Sequence, residues 1–534
     1  MLDERRHVGA AHERTPRKAV RGIRFANRAR TALNGAMALA LRFLLFVCGC
    51  AGLALAAPAD VATPVFEGVW TGEIIAPNTR TEFGLAFTST SDGVLVSVHF
   101  PAMFLHSANF GAADIHGSAF TLRPLDLSLS LADDRLTGTF GPAKLRVELR
   151  RGGEFTPPPP EPVYPAAPAP TWTRKLDAGV WASPAGFAEF VYVAAIDGKV
   201  HALRATDGSE VWTWTGSRAL YGAPLATQDS VYVLDAHAEL VALSRLDGTL
   251  RWRTPLLPAG ASLPENPTFN HRAAAPVIDT KGVLYVGSPD GGVHAIRARN
   301  GRPIWRYDAR APIYAPLGLD GNDLLVGTFD GTVITLDRRS RRESMRTTLG
   351  GAVVSTPVVI GDRIVVGARD YLLYGLDRSG RVAWRNTFWF SWVESTPRVV
   401  DGILYLGGSD YRRVSALDPR TGEQKWATDV GGLSWGTPVV SGGTVFAATA
   451  GQNIAGTVLK HIGAIVALNR QTGAPLWRHV VPDGPRGGFS GFTGSLLLTE
   501  GKLIGAAVDG TLLAFSVGAT APALPAQPSR SASR

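Results

Sequence analysis

Across most of the chain the apolar residues come in short runs, either alternating with polar ones or unbroken, and each run ends in a turn rich in Gly, Asp, Ser or Thr. Beyond the N-terminal stretch the pattern is strand-like, with no sustained helical period. Between Thr396 and Trp426, Pro397-Arg-Val-Val400 predicts a first strand, Ile403-Leu-Tyr-Leu-Gly407 a second and Val414-Ser-Ala-Leu-Asp418 a third, with a fourth opening at Lys425-Trp426. Asp401-Gly402, Ser409-Asp410 and Thr421-Gly422 supply the turns. Four short antiparallel strands joined in this way make one propeller blade.

The unit repeats. One phrase, a small residue, a turn with Gly and then Trp, runs from Ala202 to Trp212, Ala242 to Trp252, Ala295 to Trp305, Ala416 to Trp426 and Ala467 to Trp477. A sixth copy, Gly375 to Trp384, is one residue shorter. A small residue followed by Pro opens each unit, at Pro184, Pro224, Pro276, Pro316, Pro357, Pro397 and Pro438, with spacings of 40, 52, 40, 41, 40 and 41. A period of about forty residues is that of a four-stranded blade. The C-terminal piece, Gly494-Ser-Leu-Leu-Leu498, Leu503-Ile-Gly505 and Leu512-Leu-Ala-Phe515, has three strands and lacks its Trp strand. Thr171-Trp172-Thr-Arg-Lys-Leu176, just before the first Pro marker, supplies it. The expectation is an all-β chain with an eight-bladed β-propeller of four-stranded antiparallel blades over residues 171–517, closed so that no sheet edge stays open.

The phrase resembles the Ala-x-Asp-x-x-Thr-Gly-x-x-x-Trp repeat of quinoprotein-type (PQQ-like) propellers. That group includes dehydrogenases that use pyrroloquinoline quinone (PQQ) and a non-enzymatic assembly lipoprotein of the outer membrane. The resemblance covers the propeller and speaks to fold more than to activity. The Trp needs no cofactor to explain it, because a large flat ring at the start of an outer strand packs against the neighbouring blade. Trp172, Trp212, Trp252, Trp305, Trp384, Trp426 and Trp477 are therefore read as blade-docking residues. The unit from Pro316 departs from the pattern, with Arg338-Arg339-Ser340-Arg341-Arg342 at its turn and Ser344-Met345 where Trp belongs, and is expected to dock most weakly.

Residues 1–57 read as a basic leader and signal peptide, with the apolar run Phe43 to Ala57 ending in Ala54-Leu55-Ala56 and Met37 as the expected initiator. Both cysteines, Cys48 and Cys50, fall inside it, so cleavage after Ala56 leaves a mature chain without disulfides, thiol catalysis or Cys-bound metal. Val47-Cys-Gly-Cys50 also resembles a lipobox, in which a lipidated Cys50 would anchor the protein to a membrane. The leader carries +7 of the formal charge of +9. What remains gives no basic surplus for nucleic acid.

Residues 61–152 form a second expected unit, a small antiparallel β-barrel or sandwich, from alternating runs such as Val94 to Phe100 and Leu145 to Leu149. Gly68-Val-Trp70-Thr-Gly72 is similar to the Gly-x-Trp-x-Gly β-domains in front of some exported hydrolases. Residues 153–170 are Pro-rich, a semi-rigid spacer expected to hold the two units apart. Residues 518–534 read as a disordered tail.

The enzymatic branch of the resemblance implies a quinone, a calcium site, a catalytic Asp and a vicinal disulfide, and no Cys-Cys pair exists here. Asp197-Gly198, Asp330-Gly331 and Asp509-Gly510 are turn residues, and His201 and His294 share one packing position. Gly432-Leu-Ser-Trp-Gly436 matches a nucleophile-elbow pattern but is followed by a strand, not a helix. No catalytic residue and no metal ligand is assigned. The candidate binding surface is a cup of Trp181, Tyr221, His271, Arg272, Tyr314, Trp392, Glu394 and Trp435, with Phe489 and Phe492 from the irregular last repeat. Phe388-Trp389-Phe-Ser-Trp392 is expected to be an exposed aromatic loop that meets a partner. The expected role is an exported, non-enzymatic scaffold that binds an envelope protein or peptide, without cofactor, in the periplasm or on a membrane. A PQQ-dependent dehydrogenase with an atypical quinone and calcium site is the alternative.

Overall fold

The computed structural model describes residues 65–518, apart from 77–78, 92, 104, 142–143, 158–160, 259, 262–272, 390, 453–460 and 486–487. The leader with Met37, Cys48 and Cys50, the tail, and His271 and Arg272 lie outside the described residues. Eight four-stranded antiparallel blades follow the expected order, with inner strands beginning at Ala185, Leu225, Val277, Gly318, Val358, Arg398, Val439 and Leu497. The first strands of neighbouring blades approach one another and so encircle the axis. Second strands such as Phe190–Ala194 are buried at every position. Each is sandwiched between adjacent blades, which is why these runs are continuously apolar instead of alternating.

The eighth blade is completed from the other end of the propeller sequence. Trp172–Lys175 pairs with the last strand, Trp172 opposite Ala514 and Lys175 opposite Thr511. The seventh blade has an extra strand, Phe489–Gly491, paired with the extended end of Thr444–Gln452.

The repeated phrase explains how blades hold together. In successive blades the Trp ring lies on the Gly of the next blade's outer turn, and its indole N–H donates to a carbonyl there. Trp172 donates to Ala205 (2.9 Å), Trp212 to Arg245 (3.0 Å), Trp252 to Ala298 (2.9 Å), Trp384 to Pro419 (3.2 Å) and Trp426 to Arg470 (3.1 Å). Gly is required at these turns on two counts: Gly422 has φ of +73°, and a Cβ there would come within 2.4 Å of the Trp384 ring. Trp252, Trp305 and Trp426 are only half-buried, whereas the other four rings are buried.

A second latch has no counterpart in the phrase. The residue after the turn's first position is Arg in four blades, and it reaches back to the preceding blade. Arg338 pairs with Asp279 (2.8 Å), Arg378 with Asp320 (2.8 Å) and Arg470 with Asp401 (2.6 Å), while Arg245 lies over Phe187 at 5.0 Å.

The irregular fourth blade keeps its place by other means. Met345 is buried where Trp belongs and packs beneath Gly380. Arg341 takes the position of the turn Gly and adopts its left-handed backbone, φ +61°. Trp305, which faces that turn by the same pattern, makes no indole hydrogen bond among the described residues.

Ahead of the propeller, nine antiparallel strands between Gly68 and Arg151 form one nearly closed, barrel-like sheet whose edge strands are Leu105–Ala112 and Asp114–His116. Trp70, Phe83, Phe100 and Phe140 fill its core, and the Trp70 indole donates to the Phe66 carbonyl (2.8 Å). The expectation that the Pro-rich segment holds the units apart is corrected. Its aromatic residues are lashed down: Phe155 stacks on His99 at 4.4 Å, and the Tyr164 hydroxyl donates to the Asp429 carbonyl (2.6 Å) beneath the Arg478 guanidinium. Ala166 forms a parallel bridge with Arg478 on the seventh blade's outer edge. The two units also touch directly, Phe100 against Trp389, ring centroids 5.3 Å apart.

Candidate binding surface

On one face of the propeller the connections between blades meet the turns between second and third strands. Backbone bonds knit them together, from Ile196 to Gly179 (3.0 Å), Ala236 to Ala219 (2.9 Å), Phe329 to Pro312 (2.8 Å) and Arg369 to Ala352 (2.9 Å). Aromatic side chains gather there in two groups. Trp181 and Trp435 flank Phe489, at 5.7 and 5.5 Å between ring centroids, and the Trp435 indole donates to Ser409 Oγ (2.8 Å). In the other group, Arg369 lies 4.3 Å from the Trp392 ring and 5.4 Å from Phe329, which meets Tyr314 edge-on at 5.4 Å.

Of the residues expected to line the cup, Trp181, Trp435, Phe489, Trp392 and Tyr314 are thus brought into these two clusters, with Tyr221 40% exposed in its own connection. Phe492 is fully buried in the core between the last two blades and does not line the surface. Trp389 is the main correction. It is 5% exposed, packed with Phe388 in a core shared with the front sheet, so it is not a ring held out to a partner. The same apolarity that suggested an interface is used within the chain. Trp389→Ala is expected to destabilise the protein by about 3 kcal/mol, whereas Trp392→Ala leaves the denaturation midpoint nearly unchanged; urea unfolding of the two variants checks this.

Sequence reasoning missed Phe329, Arg369, Ser409 and Asp410. All sit in second-to-third-strand turns that read simply as turn chemistry. The signal was the variable residue before the turn Asp, which is Ile196, Pro289, Phe329, Arg369 and Ser409 in the first and third to sixth blades and Val508 in the eighth, with Ala236 before His237 at the same place in the second. Glu394 is buried and held by Arg369, Nη2 to Oε1 at 2.6 Å, so its charge is compensated on the spot. Burial, with the Glu394 charge nearby, pushes the Asp410 carboxyl up to about 6, against hydrogen bonding from Ser409.

Asp410 therefore carries a testable pH signature. The folded chain holds this proton more tightly than the unfolded one, so the group favours folding at acid pH and its penalty grows as pH rises from about 4 to about 6. Asp410→Asn is expected to stabilise the protein by about 1–3 kcal/mol near neutral pH and to make no difference near pH 3.5. Thermal melts at the two pH values test it.

Residues 165–315, 290–387 and 372–528 match the family described as outer membrane protein assembly factor BamB. The chain belongs to that family. The BamB of Xanthomonas campestris pv. campestris is 27% identical over 176 residues, which cover 25% of this chain and 43% of that protein. The match thus spans less than half the length of this curated relative. The crystal structure of BamB from Moraxella catarrhalis is 19% identical, over 65% of this chain and 97% of that one, with a TM-score of 0.49. Sqt1 of Saccharomyces cerevisiae, 12% identical with a TM-score of 0.52, covers 65% of this chain and 99% of its own, and shares the fold alone.

The enzymatic branch of the resemblance implies a quinone and a calcium site. Calcium takes about six to eight oxygen ligands, and among the described residues no three His, Cys, Asp or Glu side chains converge to hold an ion. Glu394 is already committed to Arg369. Ser434, at the centre of the elbow-like pattern, is fully buried.

Proposed function

We propose that this BamB-family chain is an exported, non-enzymatic scaffold of the cell envelope that holds a segment of a partner envelope protein on the aromatic face of its propeller. The observation that carries this reading is the Trp181, Phe489 and Trp435 cluster, two indole rings flanking a phenyl ring on the face where the connections between blades meet. Aromatic side chains of this kind supply most hot-spot energy at protein interfaces. Tyr221 adds an exposed ring, and Trp392, backed by Arg369, extends the surface toward the sixth blade. The reading takes no cofactor. Covalent anchoring to a membrane, in this view, comes through acylation of Cys50, whereas cleavage after Ala56 gives a periplasmic protein without a lipid anchor.

A photo-crosslinking residue at Tyr221 is expected to trap a discrete envelope protein in cells. Trp181→Ala with Trp435→Ala should abolish that product while the chain stays folded. A crosslinker at Leu319, exposed near the turn between the first two strands of the fourth blade, is the control. Crosslinks that survive the double substitution would place the interface elsewhere, and stoichiometric PQQ retention after reconstitution would overturn the non-enzymatic reading.

A further inference from the structure

The face opposite the aromatic cup carries a charge pattern that the scaffold reading does not use. The outer turns of the third and fourth blades present Arg297, Arg299, Arg302, Arg339, Arg341 and Arg342, all exposed and none with a carboxylate partner within ion-pair distance among the described residues. The first arginines of the fourth and fifth turns, Arg338 and Arg378, are spent on the preceding blades, bound to Asp279 and Asp320. These bridges tie the outer turns of the fourth and fifth blades to the turns between the first two strands of the third and fourth. Nearby carboxylates are largely engaged as well: Asp337 accepts the backbone N–H groups of Arg339 and Ser340, and Glu343 is bound by Arg346.

A second, independent observation concerns the backbone. In six outer turns the left-handed position is Gly, at 208, 248, 301, 380, 422 and 473. In the fourth blade it is Arg341, in the same left-handed conformation. A non-Gly residue there is strained, and strain persists where something else favours the side chain. The same blade has also given up its Trp for Met345. Charge has thus been placed on this turn at the expense of the docking pattern that the other blades keep.

We propose that this face binds the anionic phosphate surface of a lipid bilayer. The guanidinium groups sit on the tips of neighbouring turns, where they match a flat array of phosphates, and the rings beside them, Tyr285 and Trp305, pack into the core between the blades and line no peptide groove. Guanidinium forms bidentate hydrogen bonds with phosphate oxygens, and clusters of this size draw proteins to anionic membranes. The proposal does not depend on the aromatic face, and the envelope reading bears only on where such a bilayer would be met.

The test is flotation of the full chain with vesicles of phosphatidylcholine containing phosphatidylglycerol, against pure phosphatidylcholine. Each basic residue near an anionic surface adds roughly fivefold to partitioning. The triple variant Arg339→Glu, Arg341→Gly and Arg342→Glu is therefore expected to bind at least tenfold more weakly. Arg341→Gly restores the repeat's own residue, so folding is not at risk. Arg299→Ser with Arg302→Ser, on the third blade, should weaken binding by a similar mechanism from a separate turn. The basic N-terminal segment is common to all the chains and cancels in the comparison. Binding unchanged in both variants, equal binding to neutral vesicles, or capture by a polyglutamate peptide in preference to the vesicles would overturn the proposal. Trp181→Ala with Trp435→Ala should leave vesicle binding intact, which separates a failure here from a failure of the scaffold reading.

Discussion

A chain lacking residues 171–176 is expected to lose the folded propeller, with no cooperative thermal transition. Trp172–Lys175 is the outer strand of the eighth blade, and its removal strips the last strand, Thr511–Ser516, of one of its two partners and leaves it as an open sheet edge. It also removes the Trp172 ring from Gly208 and the indole hydrogen bond to Ala205, the only latch of this kind between the eighth blade and the first among the described residues. One sheet and one interface therefore fail together. By contrast, deleting 61–150 should leave a folded propeller with a modestly lowered melting temperature, because Trp389 loses its cover. Circular dichroism melts of the two deletions decide the matter, and a stable, folded protein without residues 171–176 would defeat the closure argument.

Trp384→Ala is expected to cost about 3–5 kcal/mol, the range for truncating a buried aromatic. The ring is 7% exposed, lies on Gly422 and donates to the Pro419 carbonyl, so truncation leaves both a cavity and an orphaned acceptor. Trp426→Ala should cost less, since that ring is half-buried, although its indole bond to Arg470 is equivalent. Denaturant midpoints at unchanged m-value measure the difference. Equal losses would mean that the hydrogen bond, not burial, carries the docking.

How far the sequence could be read follows from what each pattern encodes. Blade number, strand order and closure were legible because the Pro marker and the Trp phrase each recur in step, and because the missing Trp strand of the last unit had one obvious donor at Trp172. The front unit was legible as antiparallel β, although its two longest neighbours, Gly68–Ala76 and Thr79–Thr90, mix polar and apolar residues too irregularly to stand out. The candidate surface was legible only in part. An aromatic run says that rings will be buried somewhere, but not against what. Phe388 packs against nearby Tyr411, but Trp389 found its partner, Phe100, about 290 residues away, in a unit whose position the linker composition could not convey. Arg369 and Asp410 were hidden because one turn position serves both backbone geometry and the face that the turn presents. Pairing of Arg338, Arg378 and Arg470 with preceding blades has a sequence signal, Arg after the turn's first residue, that emerges only once blades are stacked.

The closing pair has a further consequence for how the chain acquires its shape. Thr171 and Ala514 are 343 residues apart in the chain, yet they are joined by a hydrogen bond. Bringing such ends together carries a loop-closure cost of about 5 kcal/mol beyond a constant, whereas each intervening blade forms from local hairpins. Closure is therefore the last event, and until it happens one chain offers a free outer strand while retaining an unfilled edge for the same strand. Two such chains at high concentration can satisfy each other. The strand 172–175 of one would complete the eighth blade of its neighbour, giving a domain-swapped dimer or open chain of propellers with every native contact in place.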